Sequence, residues 1–197
     1  MDQLDDPLQS LFAAHVDAVY RTLDALYTEV QRAVDLLADS LLSGHRVLVC
    51  GVGAGTTLAQ AFAAALLNRT CIDRPGLPVI LIGAEPAAIG AIAESYGVDG
   101  VFSRQVRALG QAGDVLVLIQ NARNTVVLGP AALAAHAREM RVVVLSAEDG
   151  ERATGALASD DVELRVPVQD PLRAGECQQL LLDALAELLE IRLFGPV

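Results

Sequence analysis

Two spacings of apolar residues alternate along this chain of 197 residues. In residues 7–42 apolar side chains recur every three or four positions, which predicts an amphipathic segment of one or two helices. Farther on, short runs of valine, isoleucine and leucine alternate with helical stretches, and such runs are typical of strands buried on both faces of a parallel sheet. The pattern predicts an N-terminal helical arm, residues 1–44, and one α/β domain, residues 45–197.

The predicted domain is a doubly wound sheet of five parallel strands. The strands are predicted at residues 46–50, 78–82, 115–119, 142–145 and 162–166. Helices are predicted at residues 58–67, 87–96, 101–109 and 131–140. A final helix begins at Pro171, after Asp170 as a typical N-cap, and stops at Gly195. The arm has no strand partner, so its apolar stripe must be covered by its own domain or by another subunit, and we assign it to an oligomer interface.

The loop after the first strand is the first candidate for a ligand site. Its three glycines alternate, and two threonines follow near the start of a helix. Backbone amides, a helix dipole and hydroxyls brought to one point are the usual way to hold a phosphate. The loop after the third strand opens at the same edge of the sheet, so both loops are expected to face one pocket. The predicted ligand-binding residues are Gly53, Ala54, Gly55, Thr56, Thr57, Asn121, Asn124 and Thr125.

The last helix is the second informative element. Its polar residues form one narrow stripe, and leucine and isoleucine occupy nearly all of the remaining circumference. Such a helix is buried on more than one side, so it is expected to form part of a subunit interface. The stripe consists of Glu176, Gln179, Asp183, Glu187 and Glu190. We interpret its acidic part as a solvated face, with a partner-facing patch as the alternative.

Two apolar residues end this helix. Phe194 departs from the buried pattern, and beside Leu193 it is placed to anchor a protein partner. The alternative is a tail that folds back onto its own protein. Leu193 and Phe194 are therefore the predicted partner-binding residues.

Charge and composition narrow the class of protein. The formal net charge is −11 and the basic residues are scattered, which argues against direct binding to nucleic acid. The three cysteines are widely spaced in apolar contexts, so we expect reduced, inert thiols and no metal centre. The N-terminus has no signal pattern, and no run approaches ~18 apolar residues. We expect a soluble cytoplasmic protein that needs no cofactor and does not bind membranes.

Several segments together resemble the sugar isomerase (SIS) fold. They are residues 51–69, 74–78, 102–110, 113–116 and 161–167. More closely, they are similar to the branch that holds phosphoheptose isomerase and the DnaA initiator-associating protein, over about residues 8–195. The resemblance implies flavodoxin-like subunits in a homotetramer, with the N-terminal helices and the last helix in the interfaces and with sites between subunits.

The same resemblance implies that the family's isomerase chemistry is lost. The family enzyme uses a carboxylate base, a histidine and a zinc ion, because moving a proton between neighbouring carbons needs a base and an electrophile. The matching positions are Ala61, Ala65, Gly175 and Asp183. Of these, Asp183 alone carries a ligand group, and one ligand does not hold zinc.

The phosphate-holding loops also depart from the family pattern. Gly55 replaces the family serine of the first loop, and residues 120–125 lack the serine- and threonine-rich turn of the second. Pro130 stands where the family helix already runs. Because proline inside a helix costs about 3 kcal/mol, we predict that this helix starts near Pro130 after a longer loop. The phosphosugar site is therefore predicted to be degenerate.

The non-enzymatic relative of the branch lacks the catalytic glutamate of the first helix. Its matching Leu-Phe pair belongs to the surface that holds the initiator DnaA, and here the pair is Leu193 and Phe194. We predict a non-catalytic oligomeric scaffold that binds the replication initiator. The alternatives are a sugar-phosphate binding or sensing module, a phosphoheptose isomerase-like enzyme, and the inactive subunit of a mixed tetramer with an active paralogue.

Overall fold

The structure, a computed structural model, describes residues 5–121, 127–148 and 156–196. Within these ranges every predicted strand and helix is present. The elements in order are α1 (Asp5–Leu42), β1 (Val47–Gly53), α2 (Ala54–Leu67), β2 (Val79–Leu81), α3 (Pro86–Tyr96), α4 (Gly100–Leu109), β3 (Val115–Asn121), α5 (Leu128–His136), β4 (Arg141–Ala147), β5 (Val162–Val166) and α6 (Pro171–Phe194).

The five strands form one parallel sheet in the order β2-β1-β3-β4-β5. This is the flavodoxin-like order, so the predicted fold class is confirmed. The chain passes from β1 outward to β2 and then crosses to β3, which makes the carboxyl ends of β1 and β3 the topological switch point. The two strands pair from Val47 with Val115 to Gly53 with Asn121. The two predicted ligand loops therefore leave the sheet side by side.

Alternate residues of the central strands enter two separate cores. In β1, Val47 and Val49 join the core with α1, α2 and α6, whereas Leu48 and Cys50 join the core with α4 and α5. Both faces of the sheet are thus covered, and this is why the strands are continuous apolar runs. Burial raises the pKa of the Cys50 thiol to about 12, so this cysteine behaves as an inert apolar residue.

The differences from the predicted boundaries lie mainly in β1, α2, β3 and α5. The predicted loop at residues 51–57 is wrong, because β1 runs to Gly53 and α2 begins at Ala54, so residues 54–57 form the first turn of the helix. β1 and β3 extend beyond their predicted ends because they pair with each other as far as Gly53 and Asn121. α5 begins earlier than predicted and places Pro130 in its first turn, where proline's missing N–H removes no helical bond. It also ends earlier, and Glu139 then takes a left-handed φ of 57° before β4 begins.

The two halves of α1 have different surroundings. Ala33, Leu37 and Ala38 in the second half are fully buried in the core shared with α2 and α6. The first half exposes a row of large apolar side chains, and α6 exposes more beside it, with an apolar groove of about 340 Å³ between the two helices. We call this surface the apolar face. Its exposed residues are Leu8, Leu11, Phe12, Val16, Val19, Tyr20, Leu23, Tyr27, Leu180, Leu188 and Ile191.

Despite this apolar content, none of the helices in the described ranges combines the length and the hydropathy that a membrane span requires.

Candidate functional site

A cleft of about 480 Å³ lies at the switch point, between the start of α2, the end of β3 and the first turns of α6. It is lined by Ala54, Thr57, Leu58, Asn121, Pro171, Leu172, Gly175, Glu176 and Gln179. The structure therefore brings together three predicted ligand residues, Ala54, Thr57 and Asn121, where doubly wound folds bind ligands. Asn124 and Thr125 lie outside the described residues and stay predictions.

The glycines of the predicted first loop lie at the end of β1 and the start of α2, where they allow close packing of the backbone. A Cβ atom on Gly51 would overlap the carbonyl oxygen of Gly55, and one on Gly55 would lie 2.6 Å from the carbonyl oxygen of Ile119 on β3. Gly53 turns the chain into α2 with a φ of 61°. The packing of α2 on β1 and β3 thus explains the glycines at positions 51 and 55 without a bound phosphate.

Restoring the family serine at Gly55 is expected to lower the free energy of unfolding by about 1 to 3 kcal/mol, because backbone must move to admit the Cβ atom. Gly90→Ser is the matched control, since Gly90 is also helical and its Cβ would meet no neighbouring atom within 4 Å. Denaturant unfolding of both variants checks the prediction. Equal stability of Gly55→Ser and wild type would contradict it.

The two threonines in the first turn of α2 have different roles. Thr56 is half-buried and donates its hydroxyl hydrogen to the carbonyl oxygen of Gly51 at 2.9 Å, which closes the turn between strand and helix. Thr57 is exposed and lines the cleft. Gly53, the N-cap of α2, makes no side-chain hydrogen bond to the helix, so within the described residues the backbone amides of the first turn are open to a ligand or to solvent. Thr57 and these amides therefore join Asn121 among the described polar groups of the predicted anion site at the cleft.

Asn121 fills the space in front of Gly175. A Cβ atom at position 175 would overlap Nδ2 of Asn121. Nearby, the fully buried Gln178 donates from Nε2 to the carbonyl oxygen of Gln120 at 2.9 Å, which holds α6 against the end of β3. Glycine at 175 therefore lets α6 approach β3, and this family ligand position offers no side chain.

The side chains at the family's metal positions do not fit zinc. Ala61 and Ala65 have no ligand atoms, and Asp183 accepts a hydrogen bond from Gln179, with 2.7 Å between Oδ1 and Nε2. Among residues 5–121, 127–148 and 156–196, no three His, Cys, Asp or Glu side chains are grouped so as to hold a metal ion. A zinc site needs at least three protein ligands. We therefore assign no reaction step to a metal in this cleft.

Among the described residues, one charged side chain of the cleft opposes a phosphate. Of the described residues that line the cleft, Glu176 is the charged one. Its carboxylate pairs with His15 of α1, through Oε2 and Nδ1. Glu176 opposes an anion that the start of α2 would attract. The described part of the cleft thus offers an anion Thr57 and the first amides of α2, and opposes it with one carboxylate.

A buried ion pair holds the end of α6. The side chains of Arg74 and Glu190 are 1% and 2% exposed, with 2.8 Å between Nε and Oε1. Glu190 also accepts hydrogen bonds from three consecutive backbone amides, those of residues 70–72. Arg74 donates to carbonyl oxygens at the C-terminal end of α2, including that of Leu66 at 2.9 Å. The pair thus joins α6, α2 and the segment that follows α2.

Burial of Glu190 by itself would raise the pKa of its carboxyl group. The amides of Cys71 and Thr70 and the guanidinium of Arg74 outweigh burial and lower this pKa from 4.5 to about 2. The interpretation of the acidic stripe as a solvated face is therefore wrong for Glu190, although Asp183 and Glu187 are exposed. No local pattern indicates a pair whose members lie 116 positions apart.

The two predicted partner-binding residues differ in exposure. Leu193 is half-buried and packs against the core of α1, α2 and α6. Phe194 is 43% exposed, and its ring centroid lies 6.0 Å from the guanidinium carbon of Arg74. Phe194 therefore exposes apolar surface at the end of α6, whereas Leu193 anchors the helix end.

The sheet order and the cleft at its switch point define a doubly wound α/β protein of the flavodoxin-like type, and comparison with known proteins gives its family. The SIS domain family matches residues 12–147, and the chain belongs to that family.

Two groups of relatives are similar to it. The chain is 36% identical to the DnaA initiator-associating protein DiaA of Klebsiella pneumoniae over 189 residues, which cover 96% of each sequence. It is also 36% identical to the phosphoheptose isomerase of Methylococcus capsulatus over 184 residues, covering 93% of this chain and 94% of that one. Sequence identity is the same for the DiaA relative and for the phosphoheptose isomerase. Individual residues must therefore distinguish a DiaA-like chain from an isomerase-like one.

Solved structures give the same fold. A phosphoheptose isomerase from Francisella tularensis matches with a TM-score of 0.89 at 32% identity, covering 96% of this chain and 98% of that one. Phosphoheptose isomerase GmhA from Neisseria gonorrhoeae matches with a TM-score of 0.86 at 34% identity, covering 95% and 99%.

Proposed function

We propose that this protein is a non-catalytic scaffold that binds the replication initiator DnaA. One observation carries the proposal: the helices that face the cleft have Ala61, Ala65 and Gly175 at the family's ligand positions, and Asn121 fills the space beside Gly175. Moving a proton between carbons needs a base within hydrogen-bond reach of the substrate. A chain that keeps the fold and lacks this base is suited to binding, which is the role that the name of the DiaA relatives states for them.

The apolar face supports assembly into a homotetramer. A monomeric protein rarely exposes so long a row of large apolar side chains, and a second copy of the same two helices offers a matching cover. In this proposal the arm, residues 1–44, is an interface element, and every subunit displays the end of its α6. Four such ends would gather several initiator molecules through avidity.

Phe194 is the proposed anchor for the initiator. It is a partly exposed aromatic residue at the end of a packed helix, so it loses little side-chain entropy when a partner covers it. The net charge of −11 favours a basic partner and opposes contact with DNA phosphates, so contact with DNA is left to the initiator. The proposal places the protein in the cytoplasm, where initiation takes place.

Replacing Phe194 by alanine is expected to weaken binding of DnaA from the same organism by about 30-fold or more, because an interface anchor contributes about 2 kcal/mol or more. Biolayer interferometry with immobilised scaffold measures the Kd. Tyr96→Ala is the matched control: Tyr96 is 56% exposed on α3 and also lies over an arginine, with its ring centroid 3.7 Å from the guanidinium carbon of Arg104. The control is expected to bind as wild type does.

Two results would count against the proposal. Absence of binding by folded, assembled wild-type protein rejects the initiator assignment, and equal losses in both variants reject Phe194 as the anchor. The first result would favour a sugar-phosphate sensor, which the cleft supports through Thr57 and the uncapped amides of α2. Thermal stabilisation by a heptose phosphate is the test of that second function.

A further inference from the structure

We infer that the buried Arg74–Glu190 pair is a positioning device, which holds Phe194 and residues 68–73 together as one preformed surface for the protein partner. This inference rests on the proposed function, because the partner is the one proposed there. Arg74 and Glu190 do not touch the partner themselves in this inference. They act by positioning Phe194 and the segment of residues 68–73.

The first link joins α6 to the segment after α2. Glu190 lies one helical turn before Phe194, on the same side of α6. Its carboxylate accepts hydrogen bonds from the amides of residues 70–72, at 2.7 Å from Cys71 and 3.3 Å from Ile72. Three consecutive amides directed at one carboxylate fix this segment against the end of α6. The exposed residues of the segment, which include Arg69 and Asp73, are thereby tied to the helix end that carries Phe194.

The second link supports the aromatic ring. Arg74 makes five hydrogen bonds, one to Glu190 and four to backbone carbonyl oxygens. A guanidinium held at so many points has little freedom to move. Its central carbon lies 6.0 Å from the ring centroid of Phe194, at the outer range of a cation–π contact, so the ring has a fixed cation within reach.

The position of the Arg74–Glu190 pair favours a role in ordering the partner surface over a role in protein stability alone. A buried ion pair often contributes no more stability than apolar residues of the same volume, so stability by itself gives little reason to keep one. Here Arg74 lies 6.0 Å from the ring centroid of the exposed Phe194, and Glu190 lies one helical turn before that residue. A side chain that is already ordered loses less entropy on binding, and that entropy difference strengthens association.

The test compares two variants that each remove one buried carboxylate charge. Glu190→Gln is expected to raise the Kd for DnaA about tenfold while the oligomer stays assembled. Asp161→Asn is the matched control. The side chain of Asp161 is 2% exposed, contacts His136 at 2.8 Å, and accepts the amides of Val142 at 2.7 Å and Ala158 at 2.8 Å. It precedes β5, at the sheet edge opposite β2, so its loss is expected to cost stability without changing the Kd.

The results separate this inference from the proposed function. If wild-type protein does not bind DnaA, the proposed function fails and the inference fails with it. If wild type binds, Phe194→Ala does not, and Glu190→Gln binds as wild type does, the inference alone is overturned. Equal weakening in Glu190→Gln and Asp161→Asn also overturns it, because general destabilisation then explains the loss. If Glu190→Gln does not fold, Arg74→Lys replaces it; this variant keeps the charge, loses the planar fork, and is expected to weaken binding in the same direction.

Discussion

Replacing Leu23 by glutamate is expected to dissociate the assembled protein. Leu23 is 54% exposed on α1 and lines the apolar groove together with Tyr27 and Leu188. In the proposed tetramer a second copy covers this groove, so every interface would lose a leucine and gain a desolvated carboxylate. The first change costs about 2 kcal/mol or more and the unpaired charge costs several more. Because each subunit carries the substitution, the cost recurs throughout the assembly.

Light scattering on purified protein measures the outcome. The mass is expected to fall from that of a tetramer towards the 20.7 kDa of one protomer. Leu133→Glu is the matched control, since Leu133 is 58% exposed but lies on α5, against the other face of the sheet. A wild-type protein that is already monomeric, or a Leu23→Glu variant that stays tetrameric, would reject the apolar face as the interface.

Replacing Arg74 by methionine is expected to lower the free energy of unfolding by roughly 3 to 5 kcal/mol, because it leaves the buried carboxylate of Glu190 without its cation. Arg192→Met is the matched control. Arg192 pairs with Asp35 at 3.3 Å, but both side chains are more than half exposed, so that loss is expected to cost about 1 kcal/mol or less. Urea denaturation at equal protein concentration measures both. Similar small losses in the two variants would contradict the prediction.

The pH dependence of stability provides a second check on the same pair. The folded-state pKa of Glu190 is about 2, below its ordinary value of 4.5. Its contribution to stability is therefore fully present above about pH 4.5 and is lost as the pH falls towards 2. The difference in unfolding free energy between wild type and Glu190→Gln is expected to shrink over this window. A difference that stays constant would show that the charge of Glu190 contributes nothing.

Much of the fold followed from short-range patterns. The continuous apolar strands indicated a sheet covered on both faces, and Asp170 with Pro171 marked the start of α6, where Asp170 accepts the amides of Leu172 and Arg173. The end of α5 was harder to predict, because a helical spacing of apolar residues continues past His136 and the left-handed turn at Glu139 is set by the entry into β4.

The candidate site was predicted in part. The glycine loop and Asn121 were expected to meet, and they do, because the carboxyl ends of parallel strands lie at one edge of a sheet. The carboxylate of Glu176 in the same cleft was assigned to a stripe on α6, and nothing in the local sequence indicates that the start of α6 faces this loop. The negative charge in the cleft therefore depends on how α6 packs against α2 and β3.

The sequence by itself determined the kind and order of the elements, the family, and the absence of donor side chains at positions 61, 65 and 175, because these follow from local periodicity and residue identity. Only the tertiary structure decided that Asn121 fills the space at Gly175, that Gly55 is needed for contact with β3, and that Glu190 is buried. The Arg74–Glu190 pair near Phe194 joins residues 116 positions apart. Such contacts arise from the packing of α6 on α2 and β3, and no local spacing of residues specifies them.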